Sequence, residues 1–211
     1  MGFTNKKGRI IVENIIRVIQ ENKDYLSEID GAIGDGDHGI NMNKGATIAL
    51  VEIETKETLF ECLGSLSSVL MNKIGGSMGP LYGSIFMGMQ MACKDCEVID
   101  GEIIKKMFNQ AYENIKMISP AKPNDKTLVD VLDPAVNAYT TTFDETKDVK
   151  KALASCKEAS TKGMLATRDM QAKLGRASRL GEKSIGVQDA GATSCSLIIN
   201  SFCDSALSLL K

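Results

Sequence analysis

The chain has 211 residues, 43% of them apolar and 25% charged, with a formal net charge of −2, one histidine and no tryptophan. That balance builds a globular core without covalent staples. With no basic surplus and few aromatic side chains, it argues against nucleic acid as a partner. No apolar run reaches membrane-spanning length, because Glu13 and Arg17 interrupt the segment 9–20, so neither a signal peptide, a span nor a membrane partner is expected.

Apolar spacing is helical nearly throughout. Residues 9–22 carry Ile11, Ile15, Val18 and Ile19 on one stripe. Helices over 39–54 and 58–73 follow. The second has Leu59, Leu63, Leu66 and Leu70 at helical spacing and a Thr58–Glu61 capping box. Pro80 suits the first turn of a helix over 80–93. Asp100 is placed to cap a helix with Ile103, Ile104, Met107, Phe108, Ala111 and Ile115 on its apolar face. Residues 126–142 also read as helix, and Pro134 should kink or divide it. Asp148 caps the next, and the chain ends on a stripe of Leu197, Ile198, Phe202, Ala206, Leu207 and Leu210. This gives about eight helices, no sheet and one domain spanning 1–211. Residues 23–39, 75–80, 119–127 and 166–191 read as loops, the last long enough to suggest function.

Six cysteines are scattered at 62, 93, 96, 156, 195 and 203, which fits a reducing, cytoplasmic setting. Cys93-Lys-Asp-Cys96 is a lone C-x-x-C. With one histidine and no second pair, half of a zinc site is missing, and two helical thiols are the better reading.

Gly34-Asp35-Gly36-Asp37-His38-Gly39 fits the G-x-G-x-x-G dinucleotide fingerprint, yet its variable slots carry carboxylates and Asp30 adds a third. No strand precedes it, as that fingerprint requires. Two readings of the carboxylates remain: a solvated acidic turn, or convergence on a cation. Two carboxylates ~5 Å apart repel by roughly 3 kcal/mol at an effective dielectric of about 20, so a convergent set needs a counter-charge. Oxygen ligands select Mg²⁺, Ca²⁺ or Mn²⁺, and the EF-hand pattern fails here.

Other loops offer anion-binding groups or are plain connectors. Ser77 and three glycines lead into the helix at Pro80, and Asp189-Ala-Gly-Ala-Thr-Ser194 leads into the last helix; free N–H groups at either start suit an anion. Arg176 and Arg179 could fork onto phosphate or lie in a solvated basic loop. His38 is open to phosphoryl relay, nucleotide contact or simple orientation by a neighbouring aspartate.

The segments IGDGDHGINMN, GGSMGPLYG, KPNDKTLVDVLDP, GRASRLGEKSIG and QDAGATS occur in one chain and in this order. With them the sequence resembles, over essentially its whole length, the ADP-binding L subunits (DhaL) of multi-subunit dihydroxyacetone kinases. The resemblance implies an all-α, single-domain barrel of about eight antiparallel helices with a nucleotide site at one rim. It implies two Mg²⁺ ions on Asp30, Asp35 and Asp37. It implies ADP or ATP contacts from His38, Gly39, Ile40, Asn41, Ser77, Met78, Arg176, Asp189, Ala190 and Gly191. The adenine side would run from Ser119 to Leu128; relatives commonly carry Gly where Ser119-Pro120 stands and Met where Leu128 stands, so the lining there is expected to be backbone.

The resemblance also implies a phosphotransferase of glycerol and dihydroxyacetone metabolism. Bound ADP is phosphorylated by a phosphohistidine on an M subunit, and the phosphoryl group passes to dihydroxyacetone on a K subunit. No catalytic residue beyond the metal–nucleotide site is expected. Two alternatives accompany it: a related subunit that consumes ATP or serves another small ketone or polyol, and an ADP-form partner of a transcriptional regulator.

Overall fold

The structure is a computed structural model and describes residues 1–210. In chain order the elements are β1 (Gly2–Thr4), α1 (Arg9–Glu21), α2 (Lys23–Ile33), α3 (His38–Glu52), α4 (Leu59–Lys73), α5 (Met78–Ala92), β2 (Val98–Asp100), α6 (Gly101–Ile118), α7 (Val129–Thr146), α8 (Val149–Ala166) and α9 (Ala190–Leu209). Two 3₁₀ segments, Thr167–Asp169 and Ala177–Ser184, lie between α8 and α9.

The expected barrel of eight antiparallel helices is corrected by this arrangement. There are nine α-helices among the described residues, and they pack on one another without closing a barrel: α1 lies against α3, α4 and α9, while α9 also touches α2, α7 and α8. The reason is visible in α1, where Ile11, Val12, Ile15, Ile16 and Ile19 are all buried. That stripe is covered by three helices at once, α3, α4 and α9. The expectation of no sheet is corrected too. β1 and β2 pair antiparallel, with Phe3 opposite Ile99.

The helix unforeseen in the sequence is α2, which buries only Leu26 and Ile33 and so carries no readable stripe. It supplies Asp30. Helix α7 begins at Val129 and runs on through Pro134 to Thr146 without being divided. Helix caps follow the sequence closely. Thr58 and Glu61 form a reciprocal capping box on α4, and Asp100 and Asp148 accept the first free N–H groups of α6 and α8. No helix among the described residues is long and apolar enough to cross a membrane.

Candidate functional site

Asp30 lies in the last turn of α2, Asp35 in the following turn, and Asp37 at the N-cap position of α3. Gly36 makes that turn possible with φ +75°, a conformation open to glycine. Gly39 then brings α3 onto α2 so closely that a Cβ there would lie 2.0 Å from the Lys23 carbonyl. As a result one carboxylate oxygen from each aspartate lies within 4.8 Å of the other two. Asp37 does not use its side chain to cap α3, which leaves that carboxylate to the cluster. Its pKa is raised, first by burial and then by Asp35 and Asp30, while Arg176 and a hydrogen bond from Asn41 oppose the rise. Among the described residues no other group of three or more acidic, cysteine or histidine side chains is placed to hold a metal, so Cys93 and Cys96 form no such site. Cys93 is buried and its thiol is pushed up to about 12.

The cluster sits at one side of a cavity of about 420 Å³. Asp30, Asp35, Asp37, His38, Ser77, Met78, Ser119, Leu128, Arg176, Asp189, Ala190 and Gly191 all line it. Gly39, Ile40 and Asn41 do not. Gly39 is packed between helices, Ile40 points out at 54% exposure, and Asn41 supports Asp37. The start of α9, at Ala190, lines the same cavity. Asp189 caps it through a 2.7 Å bond from the Ala192 N–H, and desolvation pushes the Asp189 carboxyl up to about 6. Ser77 precedes α5 without capping it, so the first N–H groups of that helix are free for another acceptor. Arg176 reaches from the 166–191 loop to pair with Asp35.

Tyr82 and Lys126, which the sequence did not single out, also line the cavity, and Ser194 lies behind it. His38 is buried, and its Nε2 lies 2.8 Å from the Ser194 hydroxyl, which is itself 2.6 Å from the Tyr82 hydroxyl. Tyr82 also donates to the Gly191 carbonyl at 2.7 Å. This chain of hydroxyls links α3, α5 and α9 behind the site. Burial lowers the His38 pKa to about 4, against an opposing pull from Asp30, so the imidazole is neutral at pH 7. Lys126 is also on the wall, with its ammonium fully inside the protein. No local pattern marks Tyr82 or Ser194, because each gains its role from a partner on a different helix.

The donors suit a hard divalent cation: three carboxylate oxygens, with no sulfur among them. Two helix starts and a guanidinium facing the same space suit a polyanion. The arrangement therefore has the chemistry of a site for a phosphorylated ligand carried on divalent metal.

The chain belongs to the DAK2-domain family, whose model matches residues 32–204. It is 38% identical over 192 residues to the ADP-binding subunit DhaL of PEP-dependent dihydroxyacetone kinase 1 from Listeria innocua, covering 90% of this chain and 91% of that one. It is 34% identical over 180 residues to the corresponding DhaL subunit of Escherichia coli, covering 84% and 85%. Among solved structures it resembles the dihydroxyacetone kinase from C. freundii in complex with AMP-PNP and Mg²⁺, with a TM-score of 0.67 at 19% identity. That likeness concerns the fold, and it covers 97% of this chain but only 35% of the larger one.

Proposed function

We propose that this chain, as one nucleotide-binding domain over 1–211, is the ADP- and Mg²⁺-binding subunit of a dihydroxyacetone kinase. The observation that carries the reading is the convergence of Asp30, Asp35 and Asp37 on one cavity with the start of α9, in a chain similar over 90% of its length to such a subunit. The roles follow from the chemistry of each group. Asp30, Asp35 and Asp37 hold the metal. The N–H groups that open α5 and α9 face the phosphates, and Arg176 adds a planar fork. The segment from Ser119 to Leu128 forms the base side. His38, neutral and held by Ser194, is suited to hydrogen bonding and not to carrying charge.

When bound, the nucleotide supplies a phosphoryl carrier between a phosphohistidine-bearing M subunit and dihydroxyacetone on a K subunit, and two Mg²⁺ ions supply charge neutralisation and alignment at its phosphates. Phosphoryl transfer needs positioning and charge compensation more than a protein nucleophile. The residues here provide both. Retention of the nucleotide between turnovers fits a relay subunit better than exchange.

The test is a coupled assay for dihydroxyacetone phosphate with the chain alone, with a K subunit, and with K plus phosphorylated M. Turnover is expected only once K is present, and sustained turnover only with phosphorylated M. Robust multiple turnover by the isolated chain with ATP would replace the relay by a free-standing kinase. Mass spectrometry of nucleotide released from freshly purified protein is expected to give ADP.

A further inference from the structure

Lys126 is an uncommon residue: a lysine 1% exposed that lines the cavity of the carboxylate cluster, with a left-handed φ of +61°. A buried ammonium costs several kcal/mol unless its donors are satisfied. All three N–H groups of Lys126 are satisfied by backbone. They go to the carbonyls of Met170 at 3.1 Å, Ser184 at 2.5 Å and Val187 at 2.7 Å. An ammonium has three donors, so none is left for a ligand.

Those three carbonyls bracket the segment that carries Arg176. Met170 directly follows the first 3₁₀ segment and Ser184 ends the second. The ammonium therefore ties the two ends of the 171–183 loop together. The same loop is fastened to the 119–128 segment again where Lys173 N–H donates to the Asp125 carbonyl at 3.1 Å. Lys126 is itself held from behind. The buried Asp130 carboxylate accepts the N–H groups of Asn124 and Thr127, which shapes the turn that puts Lys126 in its left-handed conformation.

We infer that Lys126 is a positioning residue for Arg176: by cinching the carbonyls of Met170, Ser184 and Val187 it sets the loop that presents the guanidinium to Asp35 and to the phosphates of a nucleoside diphosphate. The inference deepens the nucleotide reading and rests on it. Arg176 is exposed, and its own loop has few apolar anchors, so without the ammonium the guanidinium loses its fixed address. A role confined to general stability would weaken binding whether or not Arg176 is present. A positioning role acts only through Arg176.

The experiment is a double-mutant cycle on the full chain. ADP with Mg²⁺ is titrated calorimetrically into the parent, Lys126→Met, Arg176→Ala and the double variant. Lys126→Met is expected to weaken ADP by ~10-fold in the parent background and by less than about twofold once Arg176 is alanine. Equal weakening in both backgrounds, or native affinity for Lys126→Met, overturns the inference. If the methionine variant does not fold, Lys126→Gln, which keeps two donors, carries the same cycle. A second readout needs no nucleotide. Trypsin cleavage after Arg176 is expected to be at least ~10-fold faster in the Lys126 variant than in the parent, since cleavage follows local opening. Equal rates mean the ammonium does not hold the loop. If the parent itself fails to bind ADP with Mg²⁺, the nucleotide reading falls, while the trypsin comparison still decides whether Lys126 fixes Arg176.

Discussion

Arg176 and Asp35, 141 residues apart in sequence, form an ion pair, and both line the cavity. Arg176 is 64% exposed, so the pair adds little to stability. Under the proposed nucleotide reading its consequence lies in binding, because the guanidinium lines the same cavity as the three carboxylates. Arg176→Ala is expected to weaken ADP binding in Mg²⁺ by ~10-fold, and Arg176→Lys to recover only part, because a planar fork engages two oxygens and an ammonium acts as a point charge. A titration in which the parent, Ala and Lys forms are indistinguishable would make Arg176 an ordinary solvated loop residue.

Asp35→Asn and Asp37→Asn should each abolish Mg²⁺-dependent strengthening of nucleotide binding while leaving the helical circular dichroism intact. Each removes one of three carboxylates whose oxygens lie within 4.8 Å of one another. The expected loss is about a hundredfold in ADP affinity, or ~2.7 kcal/mol. Removing a carboxylate also relieves repulsion, so neither variant should be less stable than the parent in the absence of metal. Native-like ADP affinity in Mg²⁺ for both would refute the metal assignment.

Gly39→Ala separates packing from contact. Gly39 does not line the cavity, but an added Cβ would fall 2.0 Å from the Lys23 carbonyl and 2.6 Å from the Ser27 hydroxyl. Helices α2 and α3 would have to part, carrying Asp30 away from Asp37. The variant is expected to lose roughly 1–3 kcal/mol of stability by chemical denaturation and to lose Mg²⁺-dependent ADP affinity with it. An alanine form as stable as the parent would show that the two helices are not held at this distance.

The sole histidine gives a direct pH test. Burial lowers His38 from its ordinary 6.5 to about 4, so between these values the unfolded chain binds a proton that the folded chain does not. Stability from this group therefore rises with pH through that window, by up to roughly 3 kcal/mol. Asp189 works in the opposite sense. Its carboxyl is raised from 3.8 to about 6, so its contribution falls as pH rises over that range. In metal-free protein, His38→Asn should remove the rising component and Asp189→Asn the falling one, as read from urea midpoints at pH 4.5 and 6.5. Nuclear magnetic resonance should find the His38 ring uncharged at pH 6; a protonated ring at that pH contradicts its burial.

Features that depend on neighbours a few residues away were legible in the amino-acid order. The Thr58–Glu61 box, the Asp100 and Asp148 caps and the leucine stripe of α4 were legible because a helix brings residues three and four apart onto one face. The motif from Asp30 to Asp37 was legible as a question of charge, since three carboxylates within eight residues either splay or find a cation. Tertiary structure decided the rest. It showed that the carboxylates converge, that Ile40 faces outward and Gly39 inward, and that the helices number nine and pack without closing a barrel. Helix α2 was missed because two buried residues make no periodic signal, and the β1–β2 pair because strands of three residues are too short to alternate visibly. Tyr82, Ser194 and Lys126 could not be read from sequence for a simpler reason. A hydroxyl network or a caged ammonium exists only once distant backbone and side chains meet, and the cost of burying such groups unpaired shows only after the fold has chosen their partners.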